Sequence, residues 1–147
     1  MIVALVVLTL SFGGGAFLIL RTLNNNTSAT AADVEKEVKL KPIDLGDAIL
    51  TNVSSEKGNV QHFAKVQISI GVDATDEKKF TALSETITAN EASIRSALIT
   101  TIGEQTYSML NAANGKEKLS DEVISRLNTL LDTDMIYEVY FKEYFIQ

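Results

Sequence analysis

The first twenty residues contain no charged side chain, and residues 2–20 read IVALVVLTLSFGGGAFLIL. As a helix with a rise of about 1.5 Å per residue, this segment is roughly 28 Å long, close to the bilayer hydrocarbon core of about 30 Å. Thr9 and Ser11 can return their hydroxyl groups to the helix backbone, so neither prevents insertion. The pattern predicts a transmembrane anchor over residues 1–21, with the rest of the chain on one side of the membrane.

A cleaved signal peptide is the main alternative to an anchor. Signal peptides usually begin with basic residues, have a shorter apolar core and end on small residues before the cleavage site. Here no basic residue precedes the apolar run, and Leu18, Ile19 and Leu20 are a poor approach to a cleavage site. A cut in the Ser/Ala-rich tract of residues 27–32 stays open as the alternative.

A run of three glycines lies in the middle of the predicted span. Gly13, Gly14 and Gly15 form a surface of small side chains with Ser11, and Ser11 and Gly15 are four residues apart. Such small-xxx-small spacing lets another transmembrane helix approach closely. We therefore predict membrane-helix packing at these four residues, with the general abundance of glycine in membrane helices as the other explanation.

The residues after the span carry all the charge of the chain, 13 basic and 19 acidic side chains with a net charge of −6. An acidic domain without a Lys/Arg cluster repels phosphate backbones, so nucleic acid is not expected as a partner. The absence of cysteine excludes disulfides, thiol catalysis, iron–sulfur clusters and cysteine-based zinc sites. Arg21 alone is too little charge to fix the orientation of the span by the positive-inside rule.

Residues 22–41 are polar, lack an apolar period and predict a flexible linker, so the folded domain is expected to span residues 42–147. Residues 43–53 suggest one strand or two short strands, interrupted at Gly46. Residues 62–72 form the clearest strand, because five apolar side chains alternate with polar or small ones. The polar turn between these segments predicts an antiparallel hairpin.

Residues 76–112 have apolar side chains at helical spacing and predict one long helix, bent or broken near Asn90, which could cap a second segment. The pair Asn114–Gly115 suits left-handed backbone geometry and predicts the end of this helix. A second helix is predicted to open at Ser120, with that side chain as its N-terminal cap.

The last residues, 135–147, are rich in aromatic and β-branched side chains and predict a strand that completes the sheet. Strict alternation would place Tyr137, Val139, Phe141 and Phe145 on one face. Together these elements predict an α+β domain in which two helices cover one face of a small antiparallel sheet.

Few residues suggest catalysis or metal binding. His62 is the only histidine, and no motif such as G-x-S-x-G marks a nucleophile, so a hydrolase at the membrane surface would rest on His62 alone. Asp132 and Asp134 could bind a divalent ion only weakly, because no EF-hand spacing surrounds them. We predict no enzyme, no cofactor, no metal site and no small-molecule substrate.

Several motifs follow one another in the second half of the chain. They are R-S-A-L-I at 95–99, G-K-E-K-L at 115–119, E-V-I-S-R-L-N at 122–128 followed by two leucines at 130–131, and V-Y-F-K-E-Y-F-I-Q at 139–147. This ordered set, behind an N-terminal membrane helix with a glycine run and a polar linker, resembles the flagellar basal body-associated protein family, FliL.

The resemblance implies a non-enzymatic accessory protein of the bacterial flagellum, in the inner (plasma) membrane with a cytoplasmic N-terminus and an extracytoplasmic C-terminal domain. It implies support or regulation of the torque-generating stator units in flagellar rotation, swarming and chemotactic motility. It also implies a stomatin/prohibitin-like domain and a homo-oligomeric ring around the stator. A membrane-tethered binding or assembly module of another envelope complex is the alternative.

Overall fold

The computed structural model describes residues 38–55 and 60–147, and Val38–Gln147 form one compact unit. The predicted anchor, most of the predicted linker and the turn residues 56–59 lie outside the described residues. The described strands and helices are, in chain order, β1 (Leu40–Asp44), β2 (Ile49–Val53), β3 (His62–Asp73), α1 (Glu77–Ala89), α2 (Glu91–Gly103), α3 (Tyr107–Leu110), α4 (Gly115–Leu130) and β4 (Ile136–Ile146).

β3 is the centre of the sheet. β4 pairs with it antiparallel along one edge, and β1 and β2 lie end to end along the other, with Ile43 opposite Ile70 and Thr51 opposite Ala64. Gly46 lies between β1 and β2 with φ at 88°, a backbone conformation that favours glycine. The predicted hairpin and the predicted interruption at Gly46 are confirmed.

One face of β3 forms the floor of the hydrophobic core. Its alternate apolar residues have exposed fractions between 0% and 4%, and they are Ala64, Val66, Ile68, Ile70 and Val72. The helices add buried aliphatic side chains to the same cluster, among them Leu83, Ile87, Ile94, Leu98, Ile102, Leu119, Val123 and Leu127. Burial of each such side chain contributes about 1.5–3 kcal/mol relative to exposure, so this face decides which side of the sheet the helices cover.

β4 departs from strict alternation at two β-bulges. Its register against β3 passes over Tyr137 and Lys142, and each extra residue moves the following side chains to the opposite face. Val139 and Phe141 pack against the core, whereas Phe145 is 56% exposed and Tyr137 is 49% exposed. The prediction that all four apolar residues share one face is therefore wrong.

The helical region breaks at Asn90, as predicted. Asn90 ends α1, since its backbone N–H and its side-chain amide both donate to the Thr86 carbonyl, the latter at 2.8 Å. Asn90 occupies the N-cap position of α2, as predicted, but its side chain makes no capping hydrogen bond there. Its own carbonyl accepts the Ile94 N–H of α2 at 2.9 Å.

α4 begins at Gly115, ahead of the predicted start, and Ser120 lies inside the helix. Gly115 is not left-handed, since positive φ occurs only at Gly46 and Asp132 among the described residues. A Cβ atom on Gly115 would lie 2.3 Å from the Leu110 carbonyl oxygen. The glycine therefore permits close contact between the start of α4 and the end of α3, and the Lys-Glu-Lys-Leu segment after it favours a helix.

The described residues form an α+β domain in which helices cover one face of an antiparallel sheet. This fold class is confirmed, although four helices do what two were expected to do. Across residues 38–55 and 60–147, no helix combines the length and the apolar character needed to cross a membrane.

Candidate interaction surfaces

The side chains weighed for catalysis or metal binding in the sequence lie apart from one another in the elements that the structure describes. The His62 imidazole stacks on the Tyr107 ring, with ring centroids 4.0 Å apart and an interplanar angle of 20°. Asp132 and Asp134 lie in the turn between α4 and β4. Within the described ranges, no group of three or more His, Cys, Asp or Glu residues is placed to hold a metal ion. The stacking gives His62 a packing role at the start of β3.

Arg95, in the first of the sequence motifs, fastens α2 to the edge of the sheet. Its guanidinium donates from Nη1 to the Asp47 carbonyl at 3.0 Å and from Nη2 to the Ala48 carbonyl at 3.4 Å. These carbonyls lie in the interruption between β1 and β2, and the forked geometry of arginine suits two acceptors at once. Arg95 therefore fixes the backbone segment between β1 and β2 against α2.

The closing motif joins β4 to the helices. Tyr144 donates its hydroxyl to the Leu110 carbonyl at 2.6 Å, and the Lys116 ammonium lies 5.2 Å from the centre of the Tyr144 ring. Burial raises the pKa of the Tyr144 phenol, which keeps the hydroxyl protonated as a donor. At the end of the chain, Phe63 and Gln147 exchange two backbone hydrogen bonds of 2.9 Å. These motif residues hold the fold together.

The face of the sheet away from the helices exposes apolar side chains. Leu50, Lys65 and Phe145 form one row across β2, β3 and β4, and Phe63 is two residues from Lys65 on the same face of β3. Leu50 is 68% exposed, Phe145 56% and Phe63 40%. We call these three residues the outer-face patch, and exposed apolar side chains gathered on one face in this way make it a candidate interaction surface. The salt bridge from Lys65 to Glu143, at 2.6 Å, adjoins it.

Further along the same face, Tyr140 lies over Gly71. A Cβ atom on Gly71 would be 2.9 Å from the Tyr140 hydroxyl oxygen and 3.1 Å from Glu138 Cβ, so the Tyr140 ring occupies the space that a side chain at position 71 would need. The hydrogen bond to Glu138 raises the pKa of the Tyr140 phenol. Beside it, the Lys142 ammonium bonds the Asp44 carboxylate at 2.5 Å and lowers the pKa of Asp44. The polar side chains on this part of the outer face therefore already pair with one another.

A groove lies between the end of β1 and the junction of α1 with α2. It encloses about 380 Å³. Its apolar lining comes from Ile43, Leu45, Ile87 and Ile94, and Glu91 lies among its polar residues. We call it the β1–α2 groove, and it combines an apolar floor with a carboxylate.

Sequence analysis did not identify either surface. A signal for the outer-face patch existed in Phe63, an apolar residue on the otherwise polar side of β3. Leu50 and Phe145 become neighbours of Phe63 only through strand pairing, and the groove is built from segments that are distant in sequence. The residues predicted to pack membrane helices, Ser11 and the glycines at 13–15, lie outside the described residues and stay predictions.

Comparison with known proteins gives a family match over most of the described residues. The sequence profile of the family described as flagellar basal body-associated protein FliL matches residues 43–147. One curated relative, the flagellar protein FliL of Aquifex aeolicus (strain VF5), is 31% identical over 81 residues, which cover 55% of this chain and 48% of the relative. The chain thus matches about half the length of that relative.

Proposed function

The chain belongs to the FliL family of flagellar basal body-associated proteins, and from this premise we propose that it is a non-enzymatic, membrane-anchored accessory protein of the flagellum that supports or regulates the torque-generating stator units. The observation that carries the proposal is the family match, which extends from β1 to the end of the chain. The motif residues support it further, because Arg95 and Tyr144 join the helices to the sheet and Gly115 permits the close contact between α3 and α4.

In this proposal residues 1–21 anchor the protein once in the inner membrane, with residues 2–20 in contact with lipid and the N-terminus in the cytoplasm. The predicted linker, residues 22–41, sets the height of the domain above the bilayer, and its last two residues, Leu40 and Lys41, begin β1. Residues 42–147 are an extracytoplasmic, stomatin/prohibitin-like domain. Ser11 and Gly15 would let another membrane helix approach closely.

The proposal includes a homo-oligomeric ring around the stator. A ring of identical subunits requires two different surfaces that meet between neighbours. The domain exposes apolar side chains on two separate layers, the outer-face patch on the sheet and, on the helices, Ile99 and Leu130 at 41% each. If the outer face of the sheet in one subunit met the helices of the next, both sets of exposed apolar side chains would be buried.

The flagellar role is tested by deleting the gene and restoring it on a plasmid. We expect the deletion to reduce swarming and the torque of bead-loaded motors, the plasmid copy to restore both, and affinity-tagged protein to co-purify with stator subunits. Normal torque under high load, together with absence of stator subunits from the purified complex, would reject the proposal.

The ring is tested separately with the double substitution Leu50→Lys and Phe145→Lys. We expect the full-length protein in detergent micelles to lose its oligomeric mass, measured by size-exclusion chromatography with light scattering. Ala82→Lys, at an exposed position on α1, is the matched control and should keep the wild-type mass. An oligomer that survives the double substitution removes the outer-face patch from the interface.

A further inference from the structure

We propose that the β1–α2 groove binds an extended peptide segment of another protein, one that places an aliphatic side chain in the groove and a lysine or arginine beside it. The inference rests on the lining of the groove, on its charge and on the strand edge next to it. It does not depend on a role in the flagellum.

The floor of the groove fits an apolar side chain. Ile87 and Ile94 are 5% and 3% exposed and form its base, while Ile43 and Leu45 are half-buried at the sheet edge. Its volume of about 380 Å³ lies at the lower end of the range of ligand sites, about 300–1,000 Å³. The groove therefore has room for one or two side chains of a peptide.

Glu91 gives the groove an unmatched negative charge. Its carboxylate forms no ion pair or hydrogen bond with any residue in 38–55 or 60–147. The other acidic residue of the lining, Asp44, already pairs with Lys142. Arg95, one turn along α2 from Glu91, directs its guanidinium to the carbonyls of the β1–β2 interruption. A cation that arrives with a peptide would meet a free carboxylate.

The edge of β1 offers main-chain groups beside the groove. Among the described strands, only β3 pairs with β1. The Leu45 N–H and the Lys39 carbonyl point towards the β3 side, so alternation along an antiparallel strand turns the N–H and C=O of Asp44 away from it. Pro42 has no N–H to donate. An added strand would therefore pair with the edge of β1 at the residues next to the groove.

These features match one mode of peptide recognition. An extended segment that adds to a sheet edge gains affinity from main-chain hydrogen bonds, and a neighbouring pocket selects its side chains. Here Asp44 would supply the main-chain bonds, the isoleucine-lined floor would select an aliphatic side chain, and Glu91 would select a cation. A second copy of this chain, with its net charge of −6, is a poorer electrostatic match.

The test uses the full-length protein in phosphatidylcholine nanodiscs and fluorescein-labelled, end-blocked peptides with a Ser/Gly background. The basic probe has a central Leu-Lys pair, and the comparison probes replace Lys by Glu or Leu by Ser. Fluorescence anisotropy measures binding, and empty nanodiscs are measured in parallel. We expect the basic probe to bind, and both replacements to weaken it.

Variants of the protein then assign the binding to the groove. Glu91→Gln should weaken the basic probe about two- to fivefold, the range of an exposed ion pair. Glu91→Lys should reverse the preference in favour of the acidic probe. Thr88→Trp, which fills the groove from α1, should abolish binding of either probe. Glu104→Lys, an exposed acidic residue just after the other end of α2, is the matched control and should bind as wild type.

Equal binding of the basic and acidic probes would overturn the proposal, as would a charge preference that Glu91→Lys leaves unchanged. The proposal would also be overturned if the protein did not bind the basic probe but self-associated, and Glu91→Gln disrupted that self-association. The groove would then bind a second copy of this chain. Far-UV circular dichroism of each variant checks that it is folded. Loss of peptide binding leaves the motor-torque experiment unaffected, so the two proposals fail separately.

Discussion

Asn128 satisfies both main-chain polar groups of Ile136, in place of a neighbouring strand. Its side-chain amide donates to the Ile136 carbonyl at 3.0 Å, and its side-chain oxygen accepts the Ile136 N–H at 3.2 Å. Ile136 is 2% exposed and begins β4 at the sheet edge. The pair therefore ties the last turns of α4 to the start of the last strand.

Asn128→Ala should destabilise the domain, because the N–H and C=O of a buried residue lose their partners at a cost of about 1–3 kcal/mol. We expect a lower urea midpoint for the full-length protein in detergent micelles, followed by far-UV circular dichroism. Thr129→Ala, at the next and exposed position, is the control and should change the stability by no more than about 0.5 kcal/mol. Equal midpoints for the two variants would contradict the role given to Asn128.

Gly115→Ala should destabilise the junction of α3 and α4. The added Cβ would lie 2.3 Å from the Leu110 carbonyl oxygen and 2.6 Å from that of Met109, both backbone atoms that cannot turn aside. Overpacking of this kind costs about 1–3 kcal/mol and outweighs the better helix propensity of alanine, about 1 kcal/mol. Gly103→Ala is the comparison, since its nearest contact is the Asn52 carbonyl at 3.3 Å. It should be close to neutral in the same unfolding measurement, and a similar loss at both sites would refute the packing argument.

Arg95→Lys should loosen the interruption between β1 and β2 without unfolding the domain. Lysine keeps the positive charge, but it lacks the fork that reaches the Asp47 and Ala48 carbonyls together. We expect faster amide hydrogen exchange in residues 45–50 and unchanged exchange in α4. Arg126→Lys, at an exposed position on α4, should leave both regions as in the wild type. Unchanged exchange in residues 45–50 of the Arg95 variant would show that the clamp is not needed.

The parts of the fold that were predicted correctly depend on patterns within one segment. Alternation in β3 and the break at Asn90 are encoded by residues next to one another, so a single sequence reveals them. The bulges of β4 depend on its register against β3, which a sequence does not specify. The predicted start of α4 at Ser120 is wrong because the local capping signal of Ser120 is overridden by a tertiary contact. Gly115 is needed for the close approach of the Leu110 backbone, a contact made only in the folded state.

The candidate surfaces were still harder to predict, because they are assembled from separate elements. Leu50 and Phe145 lie in one row only after β2, β3 and β4 pair around Lys65. Glu91 looks like an ordinary acidic residue in the first turn of a helix, which favours negative charge. Two features of the folded chain set Glu91 apart. It lies across the groove from the edge strand β1, and its carboxylate has no ion pair among the described residues.

The Lys142–Asp44 pair links β4 to β1 across the outer face and leads to a prediction for acid conditions. The hydrogen bond from Lys142 holds the pKa of the Asp44 carboxyl below its usual range. A carboxyl group with a lower pKa in the folded state stabilises the fold above its unfolded pKa and loses this contribution as the pH falls through the folded value. The pair should therefore stabilise the domain at neutral pH, and this contribution should fall progressively as the pH drops below about 4 and through the lower folded pKa.

Lys142→Gln should raise the Asp44 pKa towards the ordinary value, because the donor that favours the ionised carboxylate loses its charge. The measurement is a carboxyl carbon-13 NMR titration of the full-length protein in micelles, since Asp44 is exposed and the effect on unfolding is too small to serve as the readout. Lys65→Gln removes a different salt bridge of this face, to Glu143, and should leave the Asp44 titration unchanged. If Asp44 titrates identically in both variants, the two edges of the sheet are not linked by this pair in solution.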